Sequence, residues 1–197
     1  MEVTIVAMKI YEKETLDIAV NLSKRGNHEE ALRILDSVVV CPESVVLLLH
    51  CKSDILMNMG RWVMASDIIA EAMKIAPSDF GYNNIGYCLL QSGSFEEACV
   101  AYAAAIRLNP NNHAALRGLG QALAELGQYS EAMDALRSSL TNGGQSSDAY
   151  VELAETQYKT GDIVSAYKSL QAARDLDSTN LRALRGISSI ESDFEIK

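Results

Sequence analysis

The stretch from Asp79 to Asn112, DFGYNNIGYCLLQSGSFEEACVAYAAAIRLNPNN, decides the fold. Tyr82, Ile85, Gly86 and Leu89 fall at i, i+3, i+4 and i+7, so they share one face of a helix. After Ser92-Gly93 a second apolar series runs through Ala98, Tyr102, Ala105 and Leu108. Asn109-Pro110-Asn111-Asn112 stops it, because a proline cannot continue a helix and asparagine accepts turn geometry. The product is a helical hairpin of 34 residues. Gly86 and Ala98 are small enough to let two helix backbones approach, while Tyr82, Leu89 and Tyr102 fill the space around that contact.

Outward from this hairpin, its tight turn has the form Gly-x-x-x-x-Ala and recurs as Gly26 to Ala31, Gly60 to Ala65, Gly93 to Ala98, Gly127 to Ala132 and Gly161 to Ala166. The glycines are spaced by 34, 33, 34 and 34 residues, which is one supersecondary unit stacked five times. The unit resembles the tetratricopeptide repeat, whose pattern of an aromatic, Leu-Gly, Tyr, Ala, Phe and Pro reads here as Tyr82, Ile85-Gly86, Leu89, Ala98, Tyr102 and Pro110. The resemblance covers roughly residues 12–190 and implies an all-α, right-handed α-solenoid of five helical hairpins. The hairpins span 12–45, 46–78, 79–112, 113–146 and 147–180, followed by a capping helix over 181–190 and an acidic tail over 191–197.

The copies depart from the pattern at identifiable places. The first helix of the first unit is expected to present Ile18, Ala19 and Leu22, and its second helix Ala31, Leu35 and Val38. In the second unit Lys52-Ser53 replaces the hydrophobic-small pair, with Leu49, Leu56, Ala65, Ile69, Ala72 and Pro77 keeping the frame. Gly144 stands where a proline would close the fourth unit, within the Gly/Ser-rich stretch 141–147, which reads as a loose inter-repeat turn or, less simply, as a hinge. Leu181, Leu184, Ile187 and Ile190 form a last stripe suited to covering the end of the array. At the other end, Ala7-Met8-Lys9-Ile10 repeats Ala72-Met73-Lys74-Ile75, so residues 1–11 read either as a truncated helix of a missing repeat or as a short cap that matches by coincidence.

Composition agrees with closely packed helices: 48% hydrophobic, 6% aromatic and three prolines. A formal net charge of −9 opposes broad binding to nucleic acid or to an anionic membrane. Val3 to Met8 is too short for a membrane span or signal core, which makes the cytoplasm the default compartment. Cys41, Cys51, Cys88 and Cys99 have no C-x-x-C spacing and read as free thiols; His50-Cys51 with Cys41 falls short of the four closely spaced ligands of a structural zinc site.

The residues contain no nucleophile, base or phosphate-cradle motif: Gly118-Leu119-Gly120 lies within a helix and follows no strand, and His28 takes the packing slot of Trp62, Phe95 and Tyr129. Neither an enzyme nor a cofactor is expected. The resemblance instead implies a groove lined by the first helix of each repeat, with an extended peptide as guest. Its inward positions carry over to His50 and Asp54, then Phe80, Asn83, Asn84 and Tyr87, then Arg117 and Gln121, with Glu152, Glu155, Arg182 and Arg185 beyond. Asn83 and Asn84 can pair a peptide backbone whatever its sequence, because an amide carries both donor and acceptor. Ala114 and Gly118 are small and are expected to leave room for a bulky side chain. The carboxylate clamp of chaperone adaptors in this family is not matched, since Glu152 would stand where the clamped carboxylate needs a cation or amide. The function expected is therefore a non-catalytic adaptor that binds a peptide or protein partner, with a self-assembling scaffold as the alternative, motivated by the N-terminal partial unit and by Phe194 and Ile196.

Overall fold

The structure, a computed structural model, describes residues 2–194 and the side chains of residues 11–193. Among the described residues there are eleven α-helices, one 3-10 turn at Pro42–Ser44 and no strand. The helices are α1 Glu2–Lys24, α2 His28–Ser37, α3 Val45–Asn58, α4 Trp62–Ile75, α5 Asp79–Gln91, α6 Phe95–Leu108, α7 His113–Glu125, α8 Tyr129–Thr141, α9 Ser147–Lys159, α10 Ile163–Leu176 and α11 Leu181–Phe194. The chain forms two compact units that part between Gly93 and Ser94. Helices α1 to α5 make the first unit and α6 to α11 the second.

Three ladders in the sequence produce this alternation. The five turn glycines all have positive φ, from 69° at Gly60 to 87° at Gly26. In four of the turns the residue after the glycine closes a six-residue helix stop: Asn27 N–H donates to Leu22 O at 2.9 Å, Arg61 to Leu56 at 2.9 Å, Gln128 to Leu123 at 2.9 Å and Asp162 to Gln157 at 3.0 Å. A Cβ at Gly26, Gly93, Gly127 or Gly161 would touch nothing, so the left-handed backbone and not the space demands glycine there. Five residues on, Ala31, Ala65, Ala98, Ala132 and Ala166 are all 0% exposed. In the second unit their purpose is visible: a Cβ on Gly120 of α7 would lie 3.1 Å from Ala132 O and 2.6 Å from Leu136 Cγ on α8. Helix starts form the third ladder. Ser78, Asn112 and Ser146 accept hydrogen bonds from the N–H groups of Gly81, Ala115 and Ala149, at 3.0, 2.9 and 3.2 Å. Asn180 likewise accepts from Ala183, at 3.2 Å.

The ladder breaks at Ser44, whose side chain does not cap α3. It donates instead to Glu12 Oε2 at 2.8 Å, while Cys41 N–H donates to Glu12 Oε1 at 2.6 Å. Glu12 is only 2% exposed, and these bonds are what permit a carboxylate there. Burial by itself would raise its carboxyl, but the Ser44 and Cys41 donors outweigh burial and the net shift is downward.

Several side chains lie off the expected stripes. Ile18 is 53% exposed, and α1 buries Glu12, Leu16, Ala19 and Ser23 instead. Leu108 and Leu181 are also exposed; α11 turns Ala183, Ile187 and Ile190 into a core with Val151, Ala154, Leu170 and Ala173. In α3, Ser53 fills the small position, 2% exposed and bonded to His50 O at 2.9 Å, while Lys52 reaches Asp36 at 2.7 Å. Helix α1 runs through the expected boundary at residue 12. The Ala7–Ile10 match and the side chains of Phe194 and Ile196 lie outside the described side chains. The stretch 141–147 is a tied turn: Gly144 N–H donates to Ser139 O at 3.0 Å, Ser139 Oγ to His113 O at 2.7 Å, and Asn142 Nδ2 to Pro110 O at 3.3 Å.

Candidate functional site

The first unit gathers part of the expected site into one hollow of about 500 Å³. Helix α3 supplies Asp54, Met57 and Asn58, α4 supplies Trp62 from its first position, and α5 supplies Phe80, Asn84 and Tyr87. Phe80 and Tyr87 are 61% and 43% exposed, far more than core packing would leave such rings. Trp62 meets Tyr87 edge to face, with ring centroids 5.8 Å apart and planes at 88°. Asn83 Nδ2 donates to Asn84 Oδ1 at 3.4 Å, a long bond that leaves the Asn84 Nδ2 without a partner among the described residues. Asp54 likewise has no hydrogen bond or ion pair among the described residues; burial raises its carboxyl and His50, one turn earlier, offsets that only in part. Trp62 was not expected in the site because the inward positions lie on first helices alone, and Met57 and Asn58 because they fall at the end of α3, beyond its inward positions His50 and Asp54.

In the second unit Arg117 and Gln121 of α7 converge on Glu152 of α9. Gln121 Nε2 donates to Glu152 Oε1 at 2.5 Å, and Arg117 Nε lies 3.7 Å from Oε2. Glu152 is 8% exposed and its Oε2 has no hydrogen-bond partner. Burial pushes its carboxyl from 4.5 up to about 7, against the pull of Arg117, Gln121 and Arg182. Ala114 is exposed at the start of α7. Gly118 does not leave the expected gap. It is buried, and a Cβ there would lie 2.2 Å from Tyr102 Cζ, so the ring of α6 already occupies the space that the missing side chain provides. A second hollow of about 310 Å³ lies among α9, α10 and α11, with an apolar base of Val151, Ala154, Leu170 and Ile190 and the Glu155–Arg182 ion pair at its rim, 2.9 Å long.

Burial pushes the Cys88 thiol up to about 11 and also raises Cys51 and Cys99, which keeps these sulfurs protonated and poor as nucleophiles. Among the described residues no group of three or more His, Cys, Asp or Glu could hold a metal, and no helix is long and apolar enough to cross a membrane.

A family model of the tetratricopeptide repeat matches residues 83–147. Over this stretch the chain belongs to the tetratricopeptide repeat family. Solved structures share its fold over most of its length. MamA from Desulfovibrio magneticus RS-1 superposes with a TM-score of 0.74 at 19% identity, covering 86% of this chain and 96% of that one. YrrB, described as a TPR protein with an unusual peptide-binding site, gives 0.69 at 19% identity over 88% of this chain and 90% of that one. The Pseudomonas aeruginosa pilF protein gives 0.78 at 18% identity over 96% and 86%. At these identities the likeness is one of fold, and no curated protein matches the repeats in sequence. Tetratricopeptide repeats build interaction adaptors and scaffolds, which is the level of function the fold carries.

Proposed function

We propose that this chain is a non-catalytic adaptor whose first unit holds an extended segment of a partner protein against α3 and α5. The observation that carries the proposal is the hollow itself: exposed aromatic rings, an amide with a free donor and an unpaired carboxylate converge on the face expected to be the peptide groove. Rings that could have been buried are left facing solvent beside a group suited to pairing a peptide backbone. The described peptide-binding site of YrrB, on the same fold, supports the same use. On this reading His50 and Asn83 border the site, and Arg117 and Gln121 serve first to hold Glu152.

The test is a selection of random dodecapeptides on the intact chain, followed by affinity measurements on variants. Asn84→Ala is expected to weaken selected peptides of unrelated sequence alike, by roughly fivefold for one backbone hydrogen bond. Tyr87→Ala should weaken them more, by about 1.5 to 3 kcal/mol for one buried side-chain contact. Val164→Ser, at a 67% exposed position of α10, is the control. Peptides that bind both α5 variants as tightly as the parent would refute the site.

A further inference from the structure

The lining of the first-unit hollow is unbalanced in a way that specifies a guest. It has three aromatic side chains, Trp62, Phe80 and Tyr87, and one carboxylate, Asp54, but no lysine or arginine. Asp54 is the only charged side chain in the lining, and it forms no ion pair among the described residues, although His50 lies one turn earlier on α3. An apolar side chain entering this space would cover a carboxylate and leave it unpaired, which is costly. A carboxylate guest would add repulsion. A cation reverses both terms, because it pairs with the carboxylate and is attracted to the faces of the rings. Among cations a guanidinium fits best: it is flat, stacks on aromatic rings, and presents paired N–H donors to a carboxylate. The chain's net charge of −9 also favours a basic partner over an acidic one.

We propose that the hollow bounded by Asp54, Trp62, Phe80 and Tyr87 receives an arginine side chain of the bound segment, the guanidinium stacking on the exposed rings and pairing with Asp54. This rests on the peptide-binding proposal and names the side chain that the site selects. Asn84 sits beside the rings and takes the backbone next to that arginine. The charge and the rings choose the residue, and the amide holds the chain that carries it.

Trp62 is the only tryptophan in the sequence and lines the hollow, so its emission reports occupancy directly. The intact chain is titrated with capped pentapeptides of glycine bearing arginine, norleucine or glutamate at the centre. The arginine peptide is expected to shift Trp62 emission saturably and to bind about tenfold more tightly than the norleucine peptide, with no response to glutamate. Asp54→Asn, at an exposed position, should remove most of that preference by weakening arginine binding and by relieving the penalty on norleucine, and Phe80→Ala should reduce arginine binding severalfold; both variants are first shown to keep the parent's helical circular dichroism. Norleucine binding as tight as arginine binding, an arginine preference that survives Asp54→Asn, or no arginine response at all would each overturn the proposal. The peptide-binding proposal is judged separately: library-selected peptides that lose affinity in Asn84→Ala keep it standing even where the arginine preference fails.

Discussion

Glu152 offers the most exacting test of the electrostatics. In the unfolded chain its carboxyl titrates near 4.5, and in the fold burial moves it to about 7 despite Arg117 and Gln121. The folded state therefore binds the proton more tightly than the unfolded state. Below pH 4.5 both states are protonated and the group is neutral to stability; as the pH rises toward 7 the unfolded chain ionises first, and stability falls until the folded carboxyl has also ionised. Converted at about 1.4 kcal/mol per tenfold, the full cost above pH 7 is about 3 kcal/mol. Glu152→Gln removes the charge and keeps the Oε1 acceptor that Gln121 uses. Arg117 is 40% exposed in its side chain and remains solvated without its partner. Urea unfolding of both proteins at pH 5 and pH 8, followed by far-ultraviolet circular dichroism because Trp62 reports only on the first unit, is expected to show the variant gaining on the parent by up to about 3 kcal/mol at pH 8 and by much less at pH 5. Every other titrating group is common to both proteins and cancels in the difference. A variant less stable than the parent at pH 8 would show that the Arg117 pair outweighs desolvation and that the reasoning has the wrong sign.

Two further outcomes test the packing. Gly118→Ala should lower the midpoint of thermal unfolding, at a cost of about 1 to 3 kcal/mol, because Tyr102 is 2% exposed and has little room to retreat from the new methyl; an unchanged midpoint would reopen the gap that the sequence suggested. Glu12→Gln should destabilise the chain at neutral pH, and the deficit should shrink as acid protonates the parent's Glu12 below its ordinary range, since a depressed carboxyl contributes stability only while it is ionised; a deficit that is the same at pH 7 and pH 3 would exclude that role.

The fold was legible because its decisive residues are local. A glycine at positive φ and an alanine five residues later are determined by backbone conformation and helix contact within one hairpin, and their period exposes them without any knowledge of the tertiary structure. Stripe assignments failed where the helix face is set by neighbours instead. Ile18 looks like a core residue from its chemistry, yet α1 turns the polar Glu12 and Ser23 inward, and no periodicity argument would bury a glutamate before its donors Cys41 and Ser44, about 30 residues away, are known. At Leu181 the rotation of α11 is decided by what Leu170 and Val151 leave open, which again is tertiary information.

The candidate site was legible in four of its seven lining residues for a related reason. Phe80, Asn84, Tyr87 and Asp54 could be named because a positional rule needs only the repeat frame, and the structure brings these four together within one unit. Gly118 was misread because a small residue in a sequence has two opposite meanings: it opens space for a guest, or it yields space to a neighbour from the same chain. Only the position of Tyr102, a residue of the preceding helix, distinguishes them. Glu152 presents the same ambiguity for charge. Read as a surface carboxylate it merely repels an anionic guest, but with 8% exposure and one oxygen without a hydrogen bond it becomes a group whose charge the fold resists. The repeat frame could place it on the expected face, whereas its contacts there come from Arg117 and Gln121, which a rule built for binding positions assigns to the guest.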